Sequence, residues 1–418
     1  MFQPDHKPIA MKVLFTFGGI PHYLNALLNR LQEKGVEIVV VTPDTGYATI
    51  GKGVKMVTGG KYKKLSTPEK KMYYGKTAFS ALPEIIRNEK PDIVVLGWPY
   101  FMQVFFQSGL RKVIRQLEVQ LVIREIPFQT PPYGKIRAYF RNYPMYDENG
   151  KLLSKGFVFY LKQWLTARIR KYCYGRVSGT LNYSTVAYDI LPSYGVDKDK
   201  IHVTYNTTDT DALYAEREEV RTSTPLLPKS DKRILHIGRL VKWKRVDLLI
   251  DAFKRVNHSF PDAELVIIGD GPELVNLKQK AQLTGLNDRI RFTGAVYDAK
   301  ELGSFMNEST VYVLAGMGGL SINDAMTYGL PVICSVCDGT ESDLVTEGKN
   351  GFFFQDGNAE SLAEKINLLL SDPDLAIRMG KESETIIREK INLDSVSDRY
   401  IDAFNRIMPS KNVYKMNT

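Results

Sequence analysis

The chain has 418 residues, of which 44% are hydrophobic and 25% charged, and its formal net charge is +9. This length exceeds one ordinary hydrophobic core and predicts two domains of roughly 200 residues each. Apolar runs fall short of the roughly 20 residues that cross a bilayer, and the first ten residues lack the apolar stretch of a signal peptide. We therefore expect a cytoplasmic globular protein. We expect its strong strand pattern to begin at Met11, with residues 1–10 as a tag remnant, an upstream start or a short tail.

The cysteine content agrees with a reducing compartment. Cys173, Cys334 and Cys337 are an odd and sparse set, so no disulfide framework is expected. Cys334 and Cys337 have the spacing of a redox motif but lack the sequence context of a redox fold. Two small residues at a strand end are the favoured interpretation, and redox or metal chemistry is the alternative.

Strands and helices alternate through the first half of the chain. Residues 12–17 predict a buried parallel strand, Gly18 and Gly19 a turn, residues 21–34 a helix, and residues 36–42 a second strand. This order is typical of a doubly wound α/β domain. Further elements expected here are helices near 76–88, near 101–117 and after 184, and strands at 92–96, 119–123, 180–182 and 200–205.

Residues 134–176 form a basic and aromatic stretch. They contain ten Lys or Arg residues against two acidic ones, and the part from 156 to 174 has helical spacing. One interpretation is a helix that faces the core and exposes a solvated basic side. The other is contact with an anionic membrane surface or a lipid-linked substrate. No nucleic-acid recognition module is visible, so nucleic acid is not an expected partner.

The second half repeats the β/α alternation after a polar stretch. Residues 216–231 contain Pro225 and Pro228 among polar side chains and predict an interdomain linker. Strands are expected at 233–237, 264–268, 290–293, 310–314, 331–334 and 351–354. Helices are expected near 246–257, 274–283, 300–306 and 320–328, and two or three more near the C-terminus.

Two turns of the second half predict an anion site. The turn after strand 233–237 carries the cations Arg239 and Lys244, and the turn after strand 310–314 carries Gly316, Gly318 and Gly319. Cations that face exposed backbone N–H groups at a helix N-terminus bind an anion, most simply a diphosphate.

The motifs of this half resemble those of the retaining glycosyltransferases of family four, which have the GT-B fold. They follow one another in the family's order, with looser matches at Gly18-Gly19 and at Tyr205-Asn206 in the first half. The motifs are His236-Ile-Gly-Arg-Leu240 with Lys244, Val266-Ile-Ile-Gly-Asp-Gly-Pro-Glu273, Ile290-Arg-Phe-Thr-Gly294, Asp324-Ala-Met-Thr-Tyr-Gly-Leu-Pro-Val-Ile333 and Glu347-Gly-Lys-Asn-Gly-Phe-Phe353.

The resemblance implies a fold and a domain division. Two Rossmann-like doubly wound domains face each other across a cleft that holds the active site. Residues 11–215 are then the acceptor-binding domain and residues 231–389 the nucleotide-sugar domain. A helix at about 393–406 packs back on the first domain.

The resemblance also implies site residues. Arg239 and Lys244 match the pair that stabilises the departing donor diphosphate, where preorganised cations lower the barrier. Because these cations neutralise the leaving group, no metal or other cofactor is expected, and Asp209 with Asp211 is the weaker alternative of a metal-binding carboxylate pair. The substrate-binding residues implied are Gly18, Gly19, His22, Gly238, Gly269, Gly271, Gly316, Met317, Gly318, Gly319, Leu320, Ser321 and Asp324.

Two positions depart from the family pattern. The family has two glutamates eight positions apart, where this chain has Gly316 and Asp324. Asp324 retains a carboxylate that can hold ribose hydroxyls, whereas Gly316 has no side chain, which puts the transferred sugar in question. Glu125 stands about where relatives have a histidine beside the reacting sugar. It is either a catalytic carboxylate or the partner of Arg124 in a structural ion pair.

The expected function is retaining transfer of a sugar from a UDP- or GDP-linked donor to a glycan or lipid-linked acceptor, in surface polysaccharide or glycoconjugate synthesis. The chain is then cytoplasmic, with peripheral attachment at the inner face of the cell membrane. Two alternatives remain: a non-catalytic binding or scaffold protein that retains the fold, and a nucleotide-sugar epimerase on the same fold.

Overall fold

A computed structural model describes residues 11–44, 56, 57, 59–71, 75–126, 130–142, 145, 152–228, 230–337 and 339–408. These residues form two compact units. The first contains the described residues up to 139, residues 155–205, and residues from 394 onward. The second contains residues 206–393 and the few described residues between 140 and 154. The predicted tail at residues 1–10 lies outside the described residues.

The first unit is built on a seven-stranded parallel sheet with the order β3-β2-β1-β6-β7-β8-β9. Its central strands are mostly apolar and buried, β6 throughout and β1 from Val13 to Thr16, as a parallel sheet covered on both faces requires. The strands of this sheet are β1 Met11–Thr16, β2 Val36–Pro43, β3 Lys63–Thr67, β6 Ile93–Gly97, β7 Gln120–Glu125, β8 Gly179–Asn182 and β9 Ile201–Val203, and the antiparallel pair is β4 Glu69–Lys71 with β5 Thr77–Phe79.

The helices of the first unit include one from the end of the chain. That last helix packs on the first sheet, with the ring of Phe404 6.3 Å from that of Phe15 and the ammonium of Lys34 2.6 Å from Asp398. The helices are α1 His22–Glu33, α2 Leu82–Glu89, α3 Gln103–Phe106, α4 Ser108–Gln116, α5 Ile136–Asn142, whose last residues fall in the second unit, α6 Phe157–Tyr174, α7 Ala187–Ile190 and α16 Leu393–Ile407.

The second unit has a six-stranded parallel sheet with the order β12-β11-β10-β13-β14-β15. Apolar residues of its strands and helices, such as Phe253, Ile267 and Val313, form one core. The strands are β10 Arg233–Ile237, β11 Glu264–Ile268, β12 Ile290–Gly294, β13 Val311–Leu314, β14 Val332–Cys334 and β15 Gly351–Phe353. The helices are α8 Thr210–Thr222, α9 Val246–Ser259, α10 Leu274–Thr284, α11 Ala299–Asn307, α12 Ser321–Thr327, α13 Thr340–Leu344, α14 Ala359–Ser371 and α15 Pro373–Lys390.

Three predicted elements are wrong in part. The helix expected near 76–88 begins at Leu82, next to Pro83 in its first turn, and is preceded by strand β5. The helix expected at 101–117 is interrupted at Gln107, which has extended backbone angles between α3 and α4. The linker expected at 216–231 begins with the second half of α8, which extends to Thr222. This helix starts after Asp209, whose carboxylate caps it by accepting from the Ala212 N–H at 3.2 Å.

Candidate functional site

The two turns singled out in the sequence flank the point where the strand order of the second sheet reverses. β10 lies between β11 and β13, so the chain runs outward in one direction from β10 and in the other from β13. Open α/β sheets bind ligands outside the carboxyl ends of their strands at such a switch point. The turn at residues 238–245 follows β10, and the turn at residues 315–320 follows β13.

Lys244 is fixed within this site. It ends a short 3₁₀ turn, Lys242–Lys244, and its side chain is buried. Its ammonium donates a hydrogen bond to the carbonyl oxygen of Gly318 and stands 3.0 Å from where a Cβ atom on Gly319 would lie. The turn after β10 therefore places a positive charge directly against the glycine loop after β13.

The absence of a side chain at Gly316 has a packing explanation. A Cβ atom there would lie 2.3 Å from the carbonyl oxygen of Trp243 and 2.7 Å from the carbonyl carbon of Lys244. The same Trp243 oxygen accepts a hydrogen bond from the Met317 N–H at 2.9 Å. Because these contacts are with backbone atoms, a side chain at position 316 cannot be accommodated without moving the turn that carries Lys244.

Arg239 is half-buried, and its guanidinium makes no hydrogen bond or ion pair to any residue that the structure describes. The position that a Cβ atom on Gly238 would occupy is 3.5 Å from His236 Nε2 and 3.8 Å from Lys244 Cε. His236 is fully buried, with Nδ1 2.9 Å from the Val313 carbonyl oxygen. Burial, assisted by the charge of Lys244, lowers the pKa of His236 to about 4, so the site combines two cations with a neutral imidazole.

Gly269 and Gly271 allow a third loop to approach closely. A Cβ atom on Gly269, whose φ is +145°, would lie 1.9 Å from the Gly238 carbonyl oxygen, and one on Gly271 would lie 2.3 Å from the Leu240 carbonyl oxygen. The Leu240 N–H also donates to the Asp270 carbonyl at 2.9 Å. These two glycines thus have a structural reason to lack side chains, independent of any contact with a ligand.

The short helix α12 completes this group. Leu320 is its N-cap residue and makes no side-chain cap, and the hydroxyl of Ser321 lies 2.8 Å from that of the buried Tyr312. Asp324 is half-buried, and its Oδ1 atom has no hydrogen-bond partner among the described residues. Burial raises the pKa of Asp324 to about 7, while the hydroxyl of Thr208 opposes and the charge of Glu216 adds to this rise.

The site residues predicted in the first unit lie in two kinds of environment, a turn with an exposed side chain beside it and a buried strand end. Gly18 and Gly19 follow β1, and His22 begins α1 with an exposed side chain. Glu125 ends β7 and is buried, with one carboxylate oxygen 2.5 Å from the Arg170 guanidinium and the other accepting from the Tyr174 hydroxyl.

The predicted ion pair between Arg124 and Glu125 is wrong. Neighbouring side chains of a strand point to opposite faces, so Arg124 donates instead to the Tyr400 hydroxyl at 2.9 Å and stacks on Tyr183 at 4.5 Å. Because both carboxylate oxygens of Glu125 are occupied, its environment is that of a structural ion pair with Arg170.

One group near the first sheet was missed by the sequence analysis. Trp98 follows β6, which adjoins β1 at the switch point of that sheet, and its indole is 38% exposed. The guanidinium of Arg170 lies 4.5 Å and the ammonium of Lys76 5.2 Å from the centre of the indole ring. Burial, assisted by the charge of Arg170, lowers the pKa of Lys76. The sequence feature that could have indicated this group is a tryptophan directly after a buried strand, because open α/β sheets bind ligands at the carboxyl ends of their strands.

The carboxylate pair Asp209 and Asp211 lies at the start of α8. Asp209 caps α8, and no group of three or more His, Cys, Asp or Glu side chains within the described ranges is arranged to hold a metal ion. Cys334 ends β14 in a buried position, and the Cys337 sulfur lies 2.8 Å from the Ser335 hydroxyl.

Comparison with known proteins agrees with this geometry. Residues 217–385, which include both turns, match the family described as glycosyl transferases group 1. Similar proteins include N-acetyl-alpha-D-glucosaminyl L-malate synthase of Bacillus anthracis, 25% identical over 48% of this chain and 52% of that protein. Another is the lipopolysaccharide core biosynthesis glycosyltransferase LpsD of Rhizobium meliloti, 29% identical over 41% of this chain and 49% of that protein.

The matched stretches thus span about half the length of these curated relatives. Among solved structures, Anabaena Alr3699/HepE in complex with UDP superimposes with a TM-score of 0.67 and 15% identity, over 94% of this chain and 99% of that one. The same Anabaena protein has also been solved in complex with UDP-glucose. The likeness confirms the predicted fold class, GT-B, with two Rossmann-like α/β units.

Proposed function

We propose that this protein is a retaining glycosyltransferase that transfers a sugar from a nucleotide-diphosphate sugar to an acceptor hydroxyl. The observation that carries the proposal is the position of Lys244 and Arg239 at the switch point of the second sheet. Lys244 is held against the glycine loop, and the Arg239 guanidinium is uncommitted among the described residues.

The proposed chemistry follows from these charges. When the bond between sugar and phosphate breaks, negative charge grows on the diphosphate, and fixed cations stabilise it without reorganisation. Arg239 and Lys244 are the proposed leaving-group stabilisers, and Asp324 the proposed acceptor of ribose hydroxyl hydrogen bonds. The glycine loop from Gly316 to Gly319 is the proposed neighbour of the donor phosphate and sugar. Transfer is proposed to be independent of metal, because the two cations supply the neutralising charge.

Glu125 is left out of the proposed machinery. Both of its oxygens are committed to Arg170 and Tyr174, so it would have to break a buried ion pair before contacting a sugar. Gly18, Gly19 and His22 remain proposed substrate contacts of the first unit.

The acceptor is proposed to bind at the switch point of the first sheet. Trp98 offers a half-exposed indole face for stacking against a sugar ring, and the ammonium of Lys76 lies 5.2 Å from the centre of that ring, with no ion pair to any described residue. This pairing favours a glycan or lipid-linked acceptor that carries an anionic group. The printed name of LpsD supports the proposed role in surface polysaccharide or glycoconjugate synthesis. A location at the inner face of the cell membrane is part of the same proposal.

A screen of nucleotide sugars by thermal shift tests the donor assignment. UDP-linked sugars come first, since the solved relative is a UDP and UDP-glucose complex, and GDP-linked sugars follow. A specific ligand raises the melting temperature by mass action. Arg239→Ala is expected to lower turnover by about 10²-fold or more. The matched control is Lys242→Ala, which removes an exposed cation from the same turn. Equal turnover of the two variants would overturn the leaving-group assignment.

Product analysis separates the remaining alternatives. A transferase consumes the donor in proportion to acceptor and keeps the anomeric configuration of the transferred sugar. A binding protein holds a nucleotide without consuming its sugar conjugate. An epimerase converts the sugar in the absence of any acceptor.

A further inference from the structure

The outward face of α6 is apolar. Its exposed side chains include Phe157, which is 78% exposed, Val158, which is 62% exposed, and Trp164, which is 46% exposed. Leu161 and Leu165 are exposed between them. The spacing of these five positions places them on one side of a helix over its first two and a half turns. A helix on the surface of a globular protein normally presents charged and polar residues there.

The exposed apolar group lies before the part of α6 that packs on the fold. The buried side chains of this helix, Ala167, Arg170, Cys173 and Tyr174, all lie in its C-terminal half. Exposed single hydrophobic residues are common, but a contiguous group of large ones marks an interaction surface.

The exposed apolar side chains of α6 have basic residues beside them and no acidic residue on the same helix. Lys162, Arg168 and Lys171 are exposed on the same helix. The guanidinium of Arg168 stacks on the Trp164 ring at 4.5 Å. Between residues 149 and 188 the sequence has seven Lys or Arg residues and no Asp or Glu, and of these seven Arg170 is buried against Glu125 and does not add to the surface charge. A complementary partner is therefore both apolar and negatively charged over an extended area.

A membrane surface of anionic lipids has both properties. Aromatic and aliphatic side chains enter the boundary between headgroups and acyl chains, and lysine and arginine reach the lipid phosphates. Within the described ranges no helix is long and apolar enough to span a bilayer. The contact available to α6 is thus one in which the helix lies along the surface.

We propose that the outward face of α6 is a docking surface for an anionic lipid bilayer. Phe157, Val158, Leu161, Trp164 and Leu165 enter the interface, while Lys162 and Arg168 contact lipid phosphates. The proposal rests on exposure and charge alone. It does not depend on the transferase function, so either one can fail while the other holds.

Vesicle sedimentation tests the proposal with the full-length protein. Vesicles of phosphatidylcholine are compared with vesicles that contain about one-third phosphatidylglycerol, at low and high salt. The wild type is expected to bind the anionic vesicles and to be released as salt is raised. The double variant Phe157→Ser, Trp164→Ser is expected to lose at least about tenfold in vesicle affinity, because it removes two of the apolar anchors.

The matched control removes equally exposed apolar side chains from another helix. Val275 and Leu283 on α10 are 64% and 87% exposed and belong to the second unit. The double variant Val275→Ser, Leu283→Ser is expected to bind vesicles as the wild type does. Since all four positions are on the surface, each variant is expected to keep the wild-type melting temperature.

Two further experiments distinguish a membrane from other partners that could bind the outward face of α6. Lys162→Glu with Arg168→Glu is expected to weaken binding to the anionic vesicles only. The emission of Trp164 is expected to shift to shorter wavelength on binding, and Trp164→Phe is expected to remove that shift. Equal vesicle binding by the α6 and α10 serine variants would overturn the proposal. So would a wild type that binds no vesicles and forms a dimer that the α6 variant abolishes in sedimentation velocity, because the occupant is then a second copy of the chain.

Discussion

The carbonyl oxygen of Trp243 stands where the side chain of residue 316 would begin. It lies 2.3 Å from the Cβ position of Gly316, closer than any real Cβ atom tolerates. The resemblance to the family-four glycosyltransferases implies a glutamate at position 316, and here the backbone of the Lys244 turn takes that space. The missing glutamate and the close packing of the two turns are therefore one feature of the site.

Restoring the glutamate is expected to harm the site. Gly316→Glu and Gly316→Ala should each lower the free energy of unfolding by about 1–3 kcal/mol, because the clash is with backbone rather than with a flexible side chain. Displacement of Lys244 should also weaken binding of a nucleoside diphosphate. Urea denaturation and titration calorimetry measure the two effects.

Gly109→Ala provides the control for the glycine substitutions. Gly109 lies in α4, and a Cβ atom there meets nothing within 4 Å, so alanine is expected to be neutral or stabilising. A Gly316→Glu variant with wild-type stability and undiminished nucleotide binding would contradict the packing explanation.

The sequence was sufficient for the parallel sheets and for the placing of the two turns. Strands such as β10 and β13 are short apolar runs that end at polar or glycine-rich turns. Such elements are determined by the local sequence pattern and can be predicted from it. Residues whose role depends on tertiary partners were not predictable in this way. Glu125 was expected to pair with its chain neighbour Arg124, but strand alternation directs it to Arg170, 45 residues away. The contact between Gly316 and Trp243 joins two turns that are far apart in the sequence. The spacing of hydrophobic residues along the chain gives no information about such a contact.

Glu125 is expected to be important for stability. Glu125→Ala leaves Arg170 buried without its counter-charge, which should lower the free energy of unfolding by about 3–5 kcal/mol. The double variant Glu125→Leu, Arg170→Met removes both charges and should be less destabilised than Glu125→Ala. Chemical denaturation of the single and double variants measures the coupling. A stable Glu125→Ala variant with greatly reduced turnover would instead restore the catalytic assignment.

Trp98 is expected to affect the acceptor and not the donor. Trp98→Ala removes the indole face beside Lys76 and should raise the acceptor KM by about tenfold, since the loss of roughly 50 Å² of apolar contact with a sugar ring costs about 1.3 kcal/mol. Hydrolysis of the donor in the absence of acceptor should be unchanged. The control is Tyr297→Ala, which removes a 72% exposed aromatic ring from the second unit. Equal acceptor KM values for the two variants would remove Trp98 from the acceptor site.

Metal removal is expected to leave transfer largely intact. Arg239 and Lys244 supply the charge that a divalent ion supplies elsewhere, so excess chelator should change kcat by less than about twofold. Asp209→Asn should likewise retain turnover, with a modest loss of stability from the weakened cap of α8. Initial rates with chelator, and after readdition of Mg²⁺ or Mn²⁺, provide the measurement. Strict dependence on either ion would return Asp209 and Asp211 to the site.

Asp324 and His236 are each expected to make the free energy of unfolding depend on pH. Their two contributions have opposite signs. Burial raises the pKa of Asp324 to about 7, so the folded protein retains a proton that the unfolded chain releases above its ordinary pKa of 3.8. The contribution of Asp324 to the free energy of unfolding therefore falls as the pH rises from about 4 to 7. Burial lowers the pKa of His236 from 6.5 to about 4, so the unfolded chain binds a proton that the folded one excludes. This second effect makes the free energy of unfolding rise with pH between about 4 and 6.5.

Single substitutions separate the two effects. Asp324→Asn removes the falling contribution, so its stability relative to the wild type should grow from pH 4 to 7. The upper bound is roughly 4 kcal/mol, at about 1.36 kcal/mol per pKa unit. His236→Asn keeps an N–H donor for the Val313 carbonyl and removes the rising contribution, so its stability relative to the wild type should be greatest near pH 4. Urea denaturation at half-unit pH steps measures both differences. Because the slopes have opposite signs, a common change in packing cannot produce them together. A flat difference between Asp324→Asn and the wild type would show that this carboxyl ionises normally in the folded protein.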